Sequence, residues 1–457
     1  MGVKELGIQD LVADLKSEKQ KVCVVGLGRI GLPIACLFAE GGAKVIGVDT
    51  NLQQVKLIAE GTAPFTETGL QTLLKSVVRE GKLTATSNLK EAASQCSVVV
   101  VAAPTNVDRR KKPDYSAVEK VCRTLGTSLR KGSLIIFEST IAPGFTETVA
   151  REILEKHSGL KAGGDFNLAY SPIRAAAGQV LQDLKGYPRI VGGLDKVSLE
   201  AACAALSLMV KGGFIKMDSM RAAEAAKVFE NVYRDVNIAL ANILALFCEH
   251  SGLDYKQVSQ ASNTQPFCNL HRVGIVGGKC IPVNPCFLIQ AAEEVGLDTQ
   301  LVKLARKINE GVAKHVASTA VKLAKKCRKG SKRIAVLILG ASFKANVKED
   351  NLSASWVLSE KLKKKGAYVM VYDPLYTRDE MKEMGYSPVN LEGALEKADC
   401  VIVAVGHDVF RELKPKLLAK LSLRGKAAIL DCSGYNLFTP KDSTEHVTCV
   451  TLGIGQA

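Results

Sequence analysis

Residues 21–40 read KVCVVGLGRIGLPIACLFAE, and residues 44–50 read KVIGVDT. The apolar run from Lys21 is bounded by glycine after five residues, which is the length of a buried strand and too short for a helix. It enters the turn Gly26-x-Gly28-x-x-Gly31, and a helical pattern follows from 29 to 41. In such a turn the first glycine allows the tight bend, the second lets backbone approach a pyrophosphate, and the third lets helix and strand pack closely. Asp49 ends the next strand, where a carboxylate takes ribose hydroxyls. No arginine follows it directly, which favours NAD over NADP, because a 2′-phosphate would be repelled. A glycine turn kept for packing alone has no need of the acid. Gly26, Gly28, Arg29, Ile30, Gly31 and Asp49 are therefore the first cofactor-binding candidates.

Working outward, apolar runs bounded by turn signals recur at 97–103, 133–138 and 167–170, with helical patterns between them. Continuous apolar strands alternating with helices predict an α/β fold with a parallel, doubly wound sheet. After about residue 205 the character changes: 219–250 is one long helical pattern, a loop-rich passage runs to 286, and a second long helical region reaches about 327. From 332 the strand–helix alternation restarts, with AYVMVYDP at 367–374, ADCVIVAVG at 398–406 and AAILDCSG at 427–434. The final VTCVTLGIGQA reads as an edge strand and tail. The expected parts are a helical N-terminal extension (1–20), a Rossmann-type NAD domain (21–205), a central helical region that doubles as a dimer surface (206–327) and a second Rossmann-like domain (328–457).

Composition bounds the function. The chain has 457 residues, 47% hydrophobic, and no run of about 18 uninterrupted apolar residues, so a transmembrane helix is not expected. The amphipathic N-terminus lacks the apolar core of a signal peptide. Thirteen cysteines, an odd number without a CxxC pair, are expected to be reduced thiols in a cytoplasmic protein; Cys23, Cys36, Cys203, Cys248 and Cys400 sit in apolar strand or helix patterns. Six dispersed histidines give no metal-ligand spacing. The net charge of +15 suits an anionic small substrate, a nucleic acid or an acidic surface. The basic runs 109–112, 325–333 and 361–365 read as solvated loops and helix ends, and no nucleic-acid-binding motif accompanies them.

A second stretch carries chemistry. Gly277-Gly278-Lys279-Cys280-Ile281-Pro282-Val283-Asn284-Pro285 places one cysteine on a glycine-flexed turn, with Pro285 where a helix could begin. A helix N-terminus beside a lysine is a setting that favours thiolate. Thr105 and Thr140 end two predicted strands, as nicotinamide-side contacts or as strand-end caps. In the long helix Lys227 and Asn231 lie four residues apart on one face, with Glu224 near it. That lysine reads as an oxyanion holder or as an ordinary salt-bridged one.

Together VVGLGRIGLPIA (24–35), GVDTN (47–51), the Pro104-Thr105 segment, ESTIAPGFTE (138–147), AYSPIR (169–174), AAEAAKVFENVYRDVNIALAN (222–242), GGKCIPVNP (277–285) and FKANV (343–347) resemble the nucleotide-sugar 6-dehydrogenases over almost the whole chain. The wording is most similar to the UDP-N-acetylhexosamine branch. The resemblance implies two successive NAD-dependent oxidations of a sugar C6 alcohol to the carboxylate, through a thiohemiacetal and a thioester. It implies Cys280 as nucleophile, with Lys227 and Asn231 holding the oxyanion and an ordered water. It also implies Arg174, Gly277, Gly278, Lys279, Asn284 and Lys344 on the substrate side, a C-terminal UDP-binding domain, a homodimer or higher homo-oligomer, and a role in polysaccharide or glycan synthesis.

The chain departs from that pattern in chemically pointed places. The glutamate of the family's SPE motif is Ile173, the aspartate four residues past the cysteine is Asn284, the residue before the cysteine is Lys279, and the arginine after FKANV is Asn351. Neither isoleucine nor an amide can act as a general base. Three outcomes are open: a substitute base such as Lys279, Glu224 or Asp235; slow or incomplete acid release; or a silent nucleotide-sugar-binding protein. A hydroxyacid-type dehydrogenase would share the layout without needing Cys280.

Overall fold

The computed structural model describes residues 8–108, 110–328, 333–350 and 353–455. The chain forms two compact units, one of Met1–Glu230 with Cys286–Leu297 and the other of Asn231–Pro285 with Asp298–Ala457.

The first unit is built on an eight-stranded sheet. Its strands are β1 (Lys21–Val25), β2 (Lys44–Val48), β3 (Leu83–Thr86), β4 (Val98–Val101), β7 (Leu134–Phe137), β8 (Asn167–Tyr170), β9 (Arg189–Gly193) and β10 (Phe214–Met217), while β5 (Asn106–Val107) and β6 (Pro113–Asp114) form a small separate ladder. The order is β10-β9-β8-β7-β4-β1-β2-β3, and every pair is parallel except β8 with β9. The central strands β4 and β7 are apolar at every position, and β1 at all but its first, because both faces are covered. Val22, Val24, Val98 and Val100 enter one core cluster, whereas Cys23, Val25, Val99 and Val101 enter another. That is the two-residue alternation of a pleated strand sorting one apolar run into two cores.

The second unit carries five parallel strands, β11 (Ala335–Leu339), β12 (Tyr368–Tyr372), β13 (Cys400–Val403), β14 (Ala427–Asp431) and β15 (Val447–Thr451), in the order β12-β11-β13-β14-β15. The same sorting holds: Val336, Ile338, Cys400 and Ile402 lie in one cluster, and Leu337, Leu339, Val401 and Val403 in the other. The tail strand is at the sheet edge, as expected. Two long helices, Met220–Ser251 and Gln300–Cys327, match the long helical patterns.

Three strands of the large sheet lacked a sequence signal. LTAT, RIVGG and FIKM are short and either glycine-rich or half-exposed, so none presents a continuous apolar run. Because β10 pairs with β9, the first sheet extends past the residue-205 boundary drawn from composition. The N-terminal extension contains a helix, Ile8–Lys16, whose Leu11 and Leu15 are buried. All thirteen cysteines are free thiols, and the five singled out above are buried. Among the described residues no cluster fits a metal ion, and no helix is long and apolar enough to cross a membrane.

Candidate active site

The first sheet reverses strand order between β1 and β4, and in such sheets ligands bind outside the carboxyl ends of the strands at that crevice. The glycine turn lies there. Gly26 adopts φ +91°, and a Cβ on it would come within 2.7 Å of the Ala102 carbonyl oxygen. A Cβ on Gly31 would strike the Gly26 carbonyl at 1.7 Å, so the helix Gly31–Glu40 can start only with a glycine. A Cβ on Gly28, by contrast, would meet no protein atom within 4 Å. That opening, at a bare backbone, fits a dinucleotide's pyrophosphate. Ile30 precedes the helix, and the Arg29 guanidinium stacks over the Phe65 ring at 5.3 Å. Asp49 accepts from the Leu27 N–H (2.8 Å) and the Asn51 N–H (2.9 Å), which ties the acid to the turn it serves.

The neighbouring strand ends are stitched to one another. Thr105 donates its hydroxyl to the Thr140 carbonyl at 2.6 Å, and Ser139 donates to the Ala103 carbonyl at 2.6 Å. The Thr105 hydroxyl thus caps a strand end. Behind them Glu138 is fully buried and ion-paired with Arg189, whose Nε donates to Ser171 at 2.9 Å. Ile173 follows, 8% exposed, inside an apolar cluster with Val180 and Leu184. Arg174 pairs with Glu230 at 3.3 Å and donates to the Pro188 carbonyl.

Glu224 is not presented as a base. Fully buried, it accepts from the backbone N–H groups of Gly144 (2.5 Å) and Thr146 (3.0 Å), and so caps the helix that starts at Thr146. Burial pushes its carboxyl up to about 7, against the opposing pull of these hydrogen bonds. A carboxyl with a raised native pKa holds its proton more tightly when folded, so stability falls as pH rises from about 4.5 to about 7. Glu224→Gln should remove a contribution of about 3 kcal/mol to that fall. Urea unfolding of both proteins at pH 5 and pH 7 checks this, since parallel pH dependences would refute it.

In the second unit the cysteine turn is held from two sides. Cys280 is exposed, and its carbonyl accepts from the N–H of Asn284 at 2.9 Å, which begins the helix Asn284–Glu294. The helix starts one residue before the proline, as that carbonyl requires. Asn284 itself is buried and Lys279 exposed. Gly278 adopts φ +85° and lies on the Phe343 ring, which a Cβ would approach to 3.0 Å. Gly278 therefore joins the cysteine turn to the loop after β11 that bears the exposed Lys344, with Gly277 next to it in the chain. Asn351 lies outside the described residues, as does Arg109 of the first basic run.

Lys227 and Asn231 both lie in the Met220–Ser251 helix, Lys227 half-buried and Asn231 3% exposed. Asp235 is one further turn along and is wholly buried. Its Oδ1 accepts from Arg306 (2.6 Å) and Asn309 (2.7 Å) of the Gln300–Cys327 helix. Arg306 also donates to the Ile281 carbonyl at 3.3 Å. Asn309 accepts from Asn242 (2.9 Å), which in turn accepts from the Gly274 N–H at 3.0 Å. This buried network therefore grips the cysteine loop at Gly274 and next to Cys280. Asp235 is committed to it, although Oδ2 keeps no partner among the described residues. Sequence reasoning missed Arg306 and Asn309; the signal was available, because both occupy the apolar register of their helix with Val302, Val312 and Val316.

Comparison with known proteins agrees with this geometry. Residues 20–207 match the NAD-binding domain of the UDP-glucose/GDP-mannose dehydrogenase family, 221–311 its central domain and 337–437 its UDP-binding domain. The UDP-N-acetyl-D-mannosamine dehydrogenase of Pyrococcus horikoshii is 33% identical over 90% of this chain and 94% of its own. The UDP-N-acetyl-D-glucosamine 6-dehydrogenase of Pseudomonas aeruginosa is 33% identical over 89% and 94%. The solved UDP-D-ManNAc dehydrogenase of P. horikoshii superposes with a TM-score of 0.86 at 30% identity, covering 95% of this chain and 99% of that one. This chain belongs to the UDP-glucose/GDP-mannose dehydrogenase family.

Proposed function

We propose that the protein oxidises the C6 alcohol of a UDP-N-acetylhexosamine to the uronate, feeding polysaccharide or glycan synthesis. The observation that carries the reading is one chain holding both halves of the chemistry: a dinucleotide turn with its acid at Asp49, and Cys280 on a braced turn that opens a helix. Full-length similarity to UDP-N-acetylmannosamine and UDP-N-acetylglucosamine dehydrogenases supports the sugar class. In this reading 21–205 binds NAD, 206–327 supplies the catalytic helix and cysteine loop, and 328–457 binds the UDP-sugar.

NAD, when bound, accepts the hydride in each of two oxidations. The Cys280 sulfur adds to the C6 aldehyde and forms the C–S bond of a thiohemiacetal; after the second oxidation water cleaves the thioester and releases carboxylate and thiol. Lys227 and Asn231 hold the oxyanion and the attacking water. Gly26, Gly28, Arg29, Ile30, Gly31, Asp49, Thr105 and Thr140 face the cofactor. Arg174, Gly277, Gly278, Lys279, Asn284 and Lys344 serve the sugar nucleotide.

The exposed apolar stripe Tyr233, Leu240, Ile243 and Phe247 on the long helix supports a homodimer, because these positions share one helical face. Thirteen free cysteines support a cytoplasmic location. The test is the number of NADH formed per sugar consumed across a panel of UDP- and GDP-sugars, with mass spectrometry of the protein afterwards. Two NADH and free uronate are expected. Two NADH per bound sugar with an acyl adduct left on Cys280 would place the stall at thioester hydrolysis, the step the glutamate missing at Ile173 serves in the family pattern. Binding of every sugar without NADH would overturn the reading.

A further inference from the structure

The second sheet rebuilds the turn of the first. Gly340, after β11, adopts φ +98° and donates its N–H to the Tyr372 carbonyl, just as Gly26 donates to Val48, both at 2.8 Å. Asp373, after β12, accepts from the Ala341 N–H (2.6 Å) and from the Leu375 N–H (2.8 Å), repeating the bonds of Asp49 to Leu27 and Asn51. The difference is what else the acid does. The Asp373 carboxylate is wholly buried, and its Oδ2 also accepts from the Ser342 N–H and hydroxyl and from Nε2 of His407 at 3.2 Å. Burial works to raise this carboxyl, but the hydrogen bonds prevail and hold it below its ordinary value.

His407 is 1% exposed and bridges two segments. Its Nδ1 accepts the backbone N–H of Asn346 at 2.9 Å, so Nδ1 carries the lone pair and the ring proton sits on Nε2, aimed at Asp373. Asn346 is in the left-handed region at φ +60°, and its side chain donates to Asp408 (2.6 Å) and accepts that residue's N–H (3.1 Å). Asn346 is two residues beyond Lys344 and three beyond Phe343, the ring that supports Gly278. A side chain that holds an unfavourable backbone conformation in place fixes the direction of the residues before it.

We infer that His407 is a positioning residue for the sugar nucleotide: by bridging Asp373 and the Asn346 N–H it sets the 343–347 turn so that Lys344 meets the substrate phosphates or sugar. This rests on the proposed role of Lys344 in nucleotide-sugar oxidation. It gives His407 no contact with the reacting atoms.

The experiment compares His407→Ala, His407→Asn and His407→Gln in the full chain, with Lys344→Ala as the reference. Asparagine places its Oδ1 where Nδ1 stood and can still accept from Asn346, whereas glutamine places an N–H where Nε2 stood and keeps only the Asp373 bond. His407→Ala and His407→Gln are expected to raise KM for the UDP-sugar about tenfold, with KM for NAD unchanged and kcat altered less than about threefold. His407→Asn should recover most of that loss. If alanine does not fold, the asparagine–glutamine contrast decides. Equal effects of Asn and Gln, a matching change in KM for NAD, or no change in KM for the UDP-sugar would each overturn the inference. Wild-type protein inactive on every UDP-sugar would instead remove the underlying functional reading, and an active wild type with an unaffected Lys344→Ala would remove only the role of Lys344 and this inference with it.

Discussion

Cys280→Ser is expected to lower uronate formation by a factor of about 10³ or more while leaving nucleotide binding intact. The hydroxyl is a far poorer nucleophile than a thiolate, and without the C–S bond no thioester exists for water to cleave. The side chain is exposed at the start of the Asn284–Glu294 helix, so the change removes no core contact and the fold should survive. The readouts are NADH per sugar, which should fall from two to at most one, and free acid by chromatography. An undiminished rate of acid release would eliminate the covalent route and revive a hydroxyacid-type dehydrogenase with no use for the thiol.

Arg306→Leu should be the most damaging change in the second unit. Arg306 is 7% exposed, and its partner Asp235 is wholly buried. Removing the guanidinium strands a carboxylate away from water, which costs about 3–5 kcal/mol. Melting should therefore drop by about 10 °C. Arg306 also holds the Ile281 carbonyl, so activity should fall further than unfolding explains, through a loosened Cys280 loop. The double variant Asp235→Asn with Arg306→Leu separates the two effects: stability should return in large part, and kcat should not. Full recovery of both would mean that the network only stabilises, and no loss of stability would mean that the ion pair contributes nothing.

The parts of this molecule that were legible in the sequence are those fixed by local rules. The strand KVCVV, its glycine turn and Asp49 carry a reading because a turn conformation and a buried strand each restrict which residues fit. The long helices were equally plain, and so was the cysteine on its glycine-flexed turn. The strand RIVGG was not, since its identity depends on pairing with β8 and β10 rather than on its own composition. The substitute bases fared differently from their promise. Glu224 and Asp235 are carboxylates on the right helix, but only tertiary structure reveals that one caps Thr146 and the other neutralises Arg306. His407 gave no signal because its meaning lies in two partners, Asp373 and Asn346, more than thirty and sixty positions away. Asn284 and Ile173 were legible as departures from the family's carboxylates, but that both side chains are buried could be seen only in the fold.

The duplicated turn bears on how many dinucleotides a chain can hold. Asp49 keeps part of its surface open, so a ribose can reach it. Its counterpart Asp373 has no surface left, and every approach to its carboxylate is occupied by protein donors. The second turn shares the architecture of the cofactor turn but is closed to a second cofactor. Calorimetric titration with NAD should saturate at one molecule per chain, and the two oxidations of each sugar must then draw on one berth in turn, with reduced cofactor leaving between them.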